Sequence, residues 1–306
     1  MKYWYFCLFV VLGCRIYHPS ATSISSFVIV FQGSQGSSYL IEMLSQLRDV
    51  CILGYEPLGE ASMGASSTKL HRLLYPGNSS LHVHLSKVGS LLDSHEHTSK
   101  CNGRETTYGL KARLNPATVS QLVKMPSFSQ TKFLILRRNM LKQAVGTYRR
   151  KYCGLGQFEL RIKVEQKRSQ EEIRQFKNKK CDVQVRSLQR LCLLYWRHHE
   201  GLAGLAQTHR DKIIEITYED IMKNVTQVVD KQIAPFLGVS ASRKRRGPPT
   251  LQKASPDLLC RSVGNFDAMC SMVRRDLPPA FTEWINANQC GPDSSSETEG
   301  ECCPLC

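Results

Sequence analysis

With 306 residues, 42% of them hydrophobic, the chain can bury a sizeable core as one large domain or two small ones, and its composition is not that of a disordered polymer. The 41 Lys+Arg against 26 Asp+Glu leave a net charge of +15. That balance argues against a cationic partner and for an anionic one, whether nucleotide, polyanionic glycan, nucleic acid or acidic membrane.

The N-terminus reads Met1-Lys2, then twelve apolar residues to Cys14, then Arg15. Twelve are too few to span a bilayer comfortably. A positive start, a short apolar core and small residues near Ser20-Ala21-Thr22 predict a signal peptide over 1–21, with a short type II anchor as the alternative. Either sends the domain into the secretory pathway, to the Golgi lumen or outside the cell. Sequons at Asn78 and Asn224, and 11 of 13 cysteines beyond the leader, fit an oxidising lumen. An odd number leaves at least one cysteine unpaired or intermolecular.

Phe27-Val-Ile-Val-Phe31 predicts a strand buried on both faces, and Leu40, Met43, Leu44 and Leu47 recur at helical spacing from about Ser38. Between them lie Gly33, Ser34, Gln35, Gly36, Ser37 and Ser38, with no bulky side chain. A strand, a Gly/Ser loop and a helix start make a cradle for an anion, because successive amides point inward and the helix dipole adds positive potential. No Gly-Lys-Ser/Thr follows, so the loop is not that of a nucleotide triphosphatase. A second apolar strand from Val50 ends on Glu56-Pro57, at the strand end where open α/β sheets bind ligands.

Residues 59–105 are polar and hold His82, His84, His95 and His97; without Cys-x-x-Cys or His-Glu-x-x-His they read as solvated histidines, and no metal is expected. Tyr108 to Leu114 reads as a strand with Lys111 and Arg113 on one side, either two solvated cations on an edge or a paired anion contact. Lys132 to Arg138 predicts a buried strand ending in Arg137 and Arg138. Asn139 then caps a helix bearing Leu141, Val145 and Tyr148 on one face. Residues 149–181 are basic and helical in pattern, either a solvated helix face or a surface that a polyanionic acceptor could use. Leu188, Leu191, Cys192 and Tyr195 mark a buried helix stripe, with His198 and His199 expected at the surface. Lys212 to Tyr218 is a strand, and Glu219 and Asp220 open a helix closed by Pro235 to Gly238. A basic loop follows from Ser242, then Lys253 and a helix around Phe266. The tail 288–306 is polar, contains cysteines and is expected to be disordered. Strand–helix alternation without internal repeats predicts one α/β domain over 25–285, with helices on both faces of a mostly parallel sheet.

The ordered set Gly-Ser-x-Gly-Ser-Ser-aromatic-Leu, Tyr-Glu-Pro-Leu, Gly-x-Lys-x-Arg, Ile-Leu-Arg-Arg-Asn, Ile-Thr-Tyr-Glu-Asp-Ile, Phe-Leu-Gly-Val and Lys253…Asn265-Phe266 resembles the carbohydrate sulfotransferases of the Golgi from about Ser25 to Arg275. That resemblance implies a three-layer P-loop-type fold and 3′-phosphoadenosine 5′-phosphosulfate (PAPS) as sulfuryl donor. It implies that residues 33–38, with Tyr39, hold the phosphosulfate end, with Ser37 assisting the transfer, and that Arg138, with Arg137, Thr147 and Lys253, serves the nucleotide. Glu56 is implied as the general base, and Lys111 and Arg113 would contact a glycan or glycoprotein acceptor of anionic character. The chain departs from the family at Ser34, where a cation is usual, and at Gly146, where a serine is usual; Lys111, Arg113 or Arg137 could supply the missing charge. The alternatives are a glycan-binding relative that has lost the chemistry, or a sulfotransferase acting on protein tyrosine. A nucleic-acid-binding role ranks last, for want of a recognisable motif.

Overall fold

The computed structural model describes residues 25–32, 36–52, 107–153, 179–243 and 259–286. The first described strand, β1 (Ser25–Val30), is followed by α1 (Ser37–Leu44), β2 (Val50–Ile52), β3 (Thr107–Ala112) and α2 (Pro116–Lys124). A single turn (Pro126–Phe128) leads into β4 (Thr131–Arg137), α3 (Met140–Tyr152), α4 (Val185–Thr208) and β5 (Ile213–Thr217). Then come α5 (Tyr218–Val228), a wide turn (Val229–Ile233), α6 (Ala234–Leu237), α7 (Leu259–Ser262), α8 (Phe266–Asp276) and α9 (Pro279–Asn286). The five strands form one sheet in the order β2-β3-β1-β4-β5, every pair parallel. This is the α/β architecture expected from the sequence.

β1 occupies the middle, and its period-two alternation serves two cores. Phe27 and Ile29 pack with Leu40 and Leu44 of α1 and Ile221 of α5. Val28 and Val30 pack with Val119 and Leu122 of α2 and Leu202 of α4. Helices therefore cover both faces, and each fully buried side chain of this strand contributes about 1.5–3 kcal/mol. The Phe27 ring lies against the neighbouring strand at Gly109, where a Cβ would come within 2.0 Å of Cζ, so only glycine fits. A third cluster joins α3, α4, α8 and α9 through Leu141, Tyr148, Leu188, Val273 and Phe281.

Sequence expectations hold at most element starts. Asn139 caps α3, its side chain accepting from the amides of Leu141 and Lys142 at 3.1 Å each. Gly238 closes α6 in the left-handed conformation (φ 70°). Four expectations need correction. Leu47 is buried outside α1, in an isolated antiparallel bridge to Arg243. Residues 179–181 are not helical; Cys181 bridges to Val263 instead. β3 is an interior strand, so the solvated-edge reading fails for Lys111. His199 is buried, because α4 continues to Thr208 and carries the Tyr195 stripe on through His199, Leu202 and Ala206.

Two ties hold the chain on either side of the basic segment. Arg149, fully buried, donates from Nη2 to the Lys179 carbonyl at 2.8 Å, and Cys153 is disulfide-bonded to Cys181. Cys51, Cys260 and Cys270 are disulfide-bonded as well, whereas Cys192 is a free, buried thiol. Because Cys153 and Cys181 lie 28 residues apart, the cross-link removes about 3–4 kcal/mol of chain entropy from the unfolded state. A Cys153→Ser/Cys181→Ser protein should melt roughly 5–10 °C lower in calorimetry; an unchanged melting temperature would show that the segment constrains nothing.

Candidate functional site

The site forms at the C-terminal ends of β1, β3, β4 and β5. Past β1 the chain turns into α1 through Gly36, which is left-handed (φ 75°, ψ 17°). The Gly36 carbonyl accepts from the amides of Tyr39 and Leu40 at 3.0 and 3.2 Å. The Ser37 and Ser38 amides, having no acceptor within the helix by its geometry, point out of its first turn. No acidic residue occupies that turn, so its positive potential is undiluted by α1 itself.

Into the same place comes Lys111 from β3. Although its residue is only 3% exposed, its Nζ donates to Ser38 Oγ at 3.0 Å and stands 5.2 Å from the centre of the Phe31 ring. Arg113, two residues on and exposed, places its guanidinium 5.4 Å from the same ring. The pairing of Lys111 and Arg113 read from strand alternation is therefore real, but the two cations differ in setting. Lys111 is inside, at the α1 start; Arg113 is at the rim. A lysine ammonium converging on a helix N-terminus makes a place that favours an anion.

The second unit is built on β4 and braced by α5. The Arg138 guanidinium stacks 4.7 Å from the ring centre of Tyr218. The same ring fills the space above Gly36, where a Cβ would lie 2.3 Å from Tyr218 Cε2. Tyr218 thus touches both turns, and glycine at 36 is required twice, for its φ and for the ring. Beside it, Glu219 Oε1 accepts from the Asn139 amide at 3.0 Å, fastening the turn after β4 to the start of α5. Arg137 points elsewhere, to a 3.0 Å ion pair with Glu215.

Thr147 Oγ1 lies 2.9 Å from the Tyr195 hydroxyl of α4, and Arg150 Nη2 donates to Thr147 Oγ1 at 3.5 Å. Ser37 is buried and Tyr39 half-buried, with burial and the neighbouring Glu42 carboxylate raising the Tyr39 phenol. Gly33, Ser34, Gln35, Glu56 and Lys253 lie outside the described residues.

No protein-family model matches the chain, and no curated protein matches it. Among solved structures it is similar to the crystal structure of a sulfotransferase from Alicyclobacillus acidocaldarius, at 20% identity over 83% of this chain and 97% of that one, with a TM-score of 0.42. It is also similar to retinol dehydratase in complex with retinol and PAP, at 15% identity over 72% of this chain and 61% of the other, with a TM-score of 0.33. For retinol dehydratase with androsterone and the inactive cofactor PAP, the figures are 16%, 71%, 60% and 0.34.

Sequence reasoning passed over Tyr218, Tyr195 and Arg150. Tyr218 had a usable signal, an aromatic side chain at the carboxyl end of a parallel strand, where sheets of this kind bind ligands. Tyr195 read only as part of an apolar stripe. Arg150 read only as one member of a basic run that a polyanionic acceptor could use.

Burial, then the charges of Arg137 and His198, hold the His199 imidazole down to about 3, against an ordinary 6.5. The unfolded chain therefore takes up a proton that the folded protein refuses. His199 contributes stability above pH 6.5, and this is lost as pH falls from 6.5 toward 3. Between pH 7 and pH 5 that loss amounts to about 2 kcal/mol. Urea titrations at both pH values should show His199→Gln losing correspondingly less stability than the wild type; equal losses would show that this histidine is not the buried neutral group.

Proposed function

We propose that the protein is a PAPS-dependent sulfotransferase that sulfates a hydroxyl of a carbohydrate acceptor. One observation carries the reading: the buried Lys111 ammonium at the first turn of α1, 3.0 Å from Ser38 Oγ. Ser34 leaves the loop without the usual family cation, and Lys111 brings a positive charge to the same turn from the adjacent strand. The residues present fit a nucleotide with charge at both ends. Gly36, Ser37, Ser38 and Lys111 would hold the phosphosulfate end, and Arg138, set against Tyr218, would hold the 3′-phosphate.

When bound, PAPS supplies the sulfuryl group and departs as 3′,5′-ADP. The chain's own work is positional and electrostatic. The Ser37 and Ser38 amides and the Lys111 ammonium would hold the phosphosulfate end of the nucleotide and would stabilise the negative charge of the leaving group. Phe31, buried beside Lys111, keeps water from that ammonium and strengthens its field. Glu56 is assigned the acceptor proton as general base. The disulfide-bonded cysteines support work in an oxidising compartment, for which the secretory lumen is proposed. The absence of a serine at Gly146 and of a loop cation favours, as the second reading, a glycan-binding protein without transfer activity.

Millimolar 3′,5′-ADP should raise the melting temperature of the wild type by several degrees and that of Arg138→Ala much less, by mass action on the folded state. No shift in the wild type would refute nucleotide binding. Lys111→Met should lower kcat for sulfate transfer by about 10²–10³. It should fold at least as stably as wild type, because an apolar side chain of similar length relieves the burial of charge. Nucleotide binding without detectable transfer by the wild type would instead support the second reading.

A further inference from the structure

The Asn224-Val-Thr226 sequon plays no part in the proposed reaction, and the fold sets it apart from the rest of α5. That helix lays Ile221, Val225 and Val228 at helical spacing against the core that contains Phe27 and Ile29, with Ile221 and Val228 buried. In an unbroken helix, position 224 would lie beside this stripe, and its side chain would not face that of residue 226. The helix is broken there. Asn224 has an extended rather than helical backbone (φ −158°, ψ 83°) and kinks α5, and both Asn224 and Thr226 are exposed. A glycan, being bulky and hydrophilic, needs such a surface position.

The kink gives the two ends of the Asn224 carboxamide separate tasks. Oδ1 accepts from the Gln227 amide at 3.0 Å and so caps the second half of the helix, as asparagine does at a helix start. Nδ2 makes a long contact, 3.4 Å to Gln227 Oε1, between two exposed side chains. A carboxamide nitrogen carries two hydrogens, so that contact leaves one of them for chemistry at the surface. We propose that Asn224 is an N-glycosylation site, modified at Nδ2 while Oδ1 keeps its cap. The proposal rests on the secretory-lumen reading and is independent of the sulfotransferase chemistry. The donor is a lipid-linked oligosaccharide pyrophosphate. Its bond from sugar C1 to the pyrophosphate oxygen breaks, the oxygen keeps the electron pair, and Nδ2 bonds to C1 as it gives up one proton to a base on the transferring enzyme. The product still presents Oδ1 and one N–H, which is all that the two contacts with Gln227 require. Thr226 supplies the hydroxyl of the Asn-x-Thr acceptor.

The test translates the full chain in the presence of endoplasmic-reticulum microsomes and reads two things, protection from added protease and a gel shift reversed by endoglycosidase H. The Asn78→Gln protein, in which Asn224 heads the remaining Asn-x-Ser/Thr sequence, should be protected and should show the shift of a single glycan. Thr226→Ala in that background should abolish the shift, and Thr226→Ser should restore it. Asn224→Gln should abolish it as well, but it removes the helix cap too. Thr226→Ala leaves Asn224 in place and therefore carries the test if the glutamine variant misfolds. Release of the glycan by peptide N-glycosidase in heavy-oxygen water should leave position 224 as labelled aspartate in mass spectra. A protected Asn78→Gln chain with no shift, or with a shift that Thr226→Ala does not remove, would overturn the Asn224 site and leave the lumen reading standing. A chain that protease digests fully would overturn the lumen reading and the site together.

Discussion

A lysine ammonium buried in the middle of a parallel sheet is the constraint on which the rest of this site depends. Taking a cation out of water costs several kcal/mol even after relaxation, so a fold keeps one only where local structure holds it. Here the Phe31 ring face and the Ser38 hydroxyl surround Nζ. The helix behind Ser38 adds positive rather than negative potential. What this arrangement gains is a fixed field at the end of α1. Lys111 lies opposite Ile29 of β1 in the sheet register, so its position is set by the sheet rather than by a loop.

The second organising element is Tyr218. Its ring occupies the volume that Gly36 leaves vacant and supports Arg138 on the opposite turn. The loop after β1 and the loop after β4 thus share one wall, and Glu219 fastens the second of them through the Asn139 amide. Strands β1 and β4 are neighbours, so two anion-favouring turns come side by side by sheet order alone. Tyr218 then sets how they face each other. The Tyr-Glu-Asp sequence at the start of α5 therefore does more than place acids in a helix's first turn.

The parts of this fold that were legible in the sequence are those governed by local period. Five apolar residues from Phe27 announce a strand buried on both faces, Asn139 announces a helix start, and Gly238 a helix end. What was not legible depends on order in space. Whether β3 is an edge or an interior strand is decided by β2 and β1 flanking it, and β2 lies more than fifty residues away in the chain. His199 looked like a polar helix end because the apolar stripe behind it seemed to stop at Tyr195; Leu202 and Ala206 carry it on for two more turns.

Ser34 looked, in sequence, like the weakest point of the sulfotransferase reading, and the placement of Lys111 recasts what that serine means. A cation on the loop and a cation on the adjacent strand can bring the same charge to the same turn, because the backbone amides that define the cradle do not depend on the loop's side chains. They differ in freedom. A long loop side chain must be ordered each time a ligand binds, whereas the Lys111 ammonium is already packed against Phe31. Electrostatic stabilisation of developing charge works best when its dipoles and charges need no reorganisation. By that criterion a serine at position 34 does not by itself leave the turn without positive charge. Gly146 is different in kind, since the neighbouring Thr147 hydroxyl is drawn to the Tyr195 hydroxyl.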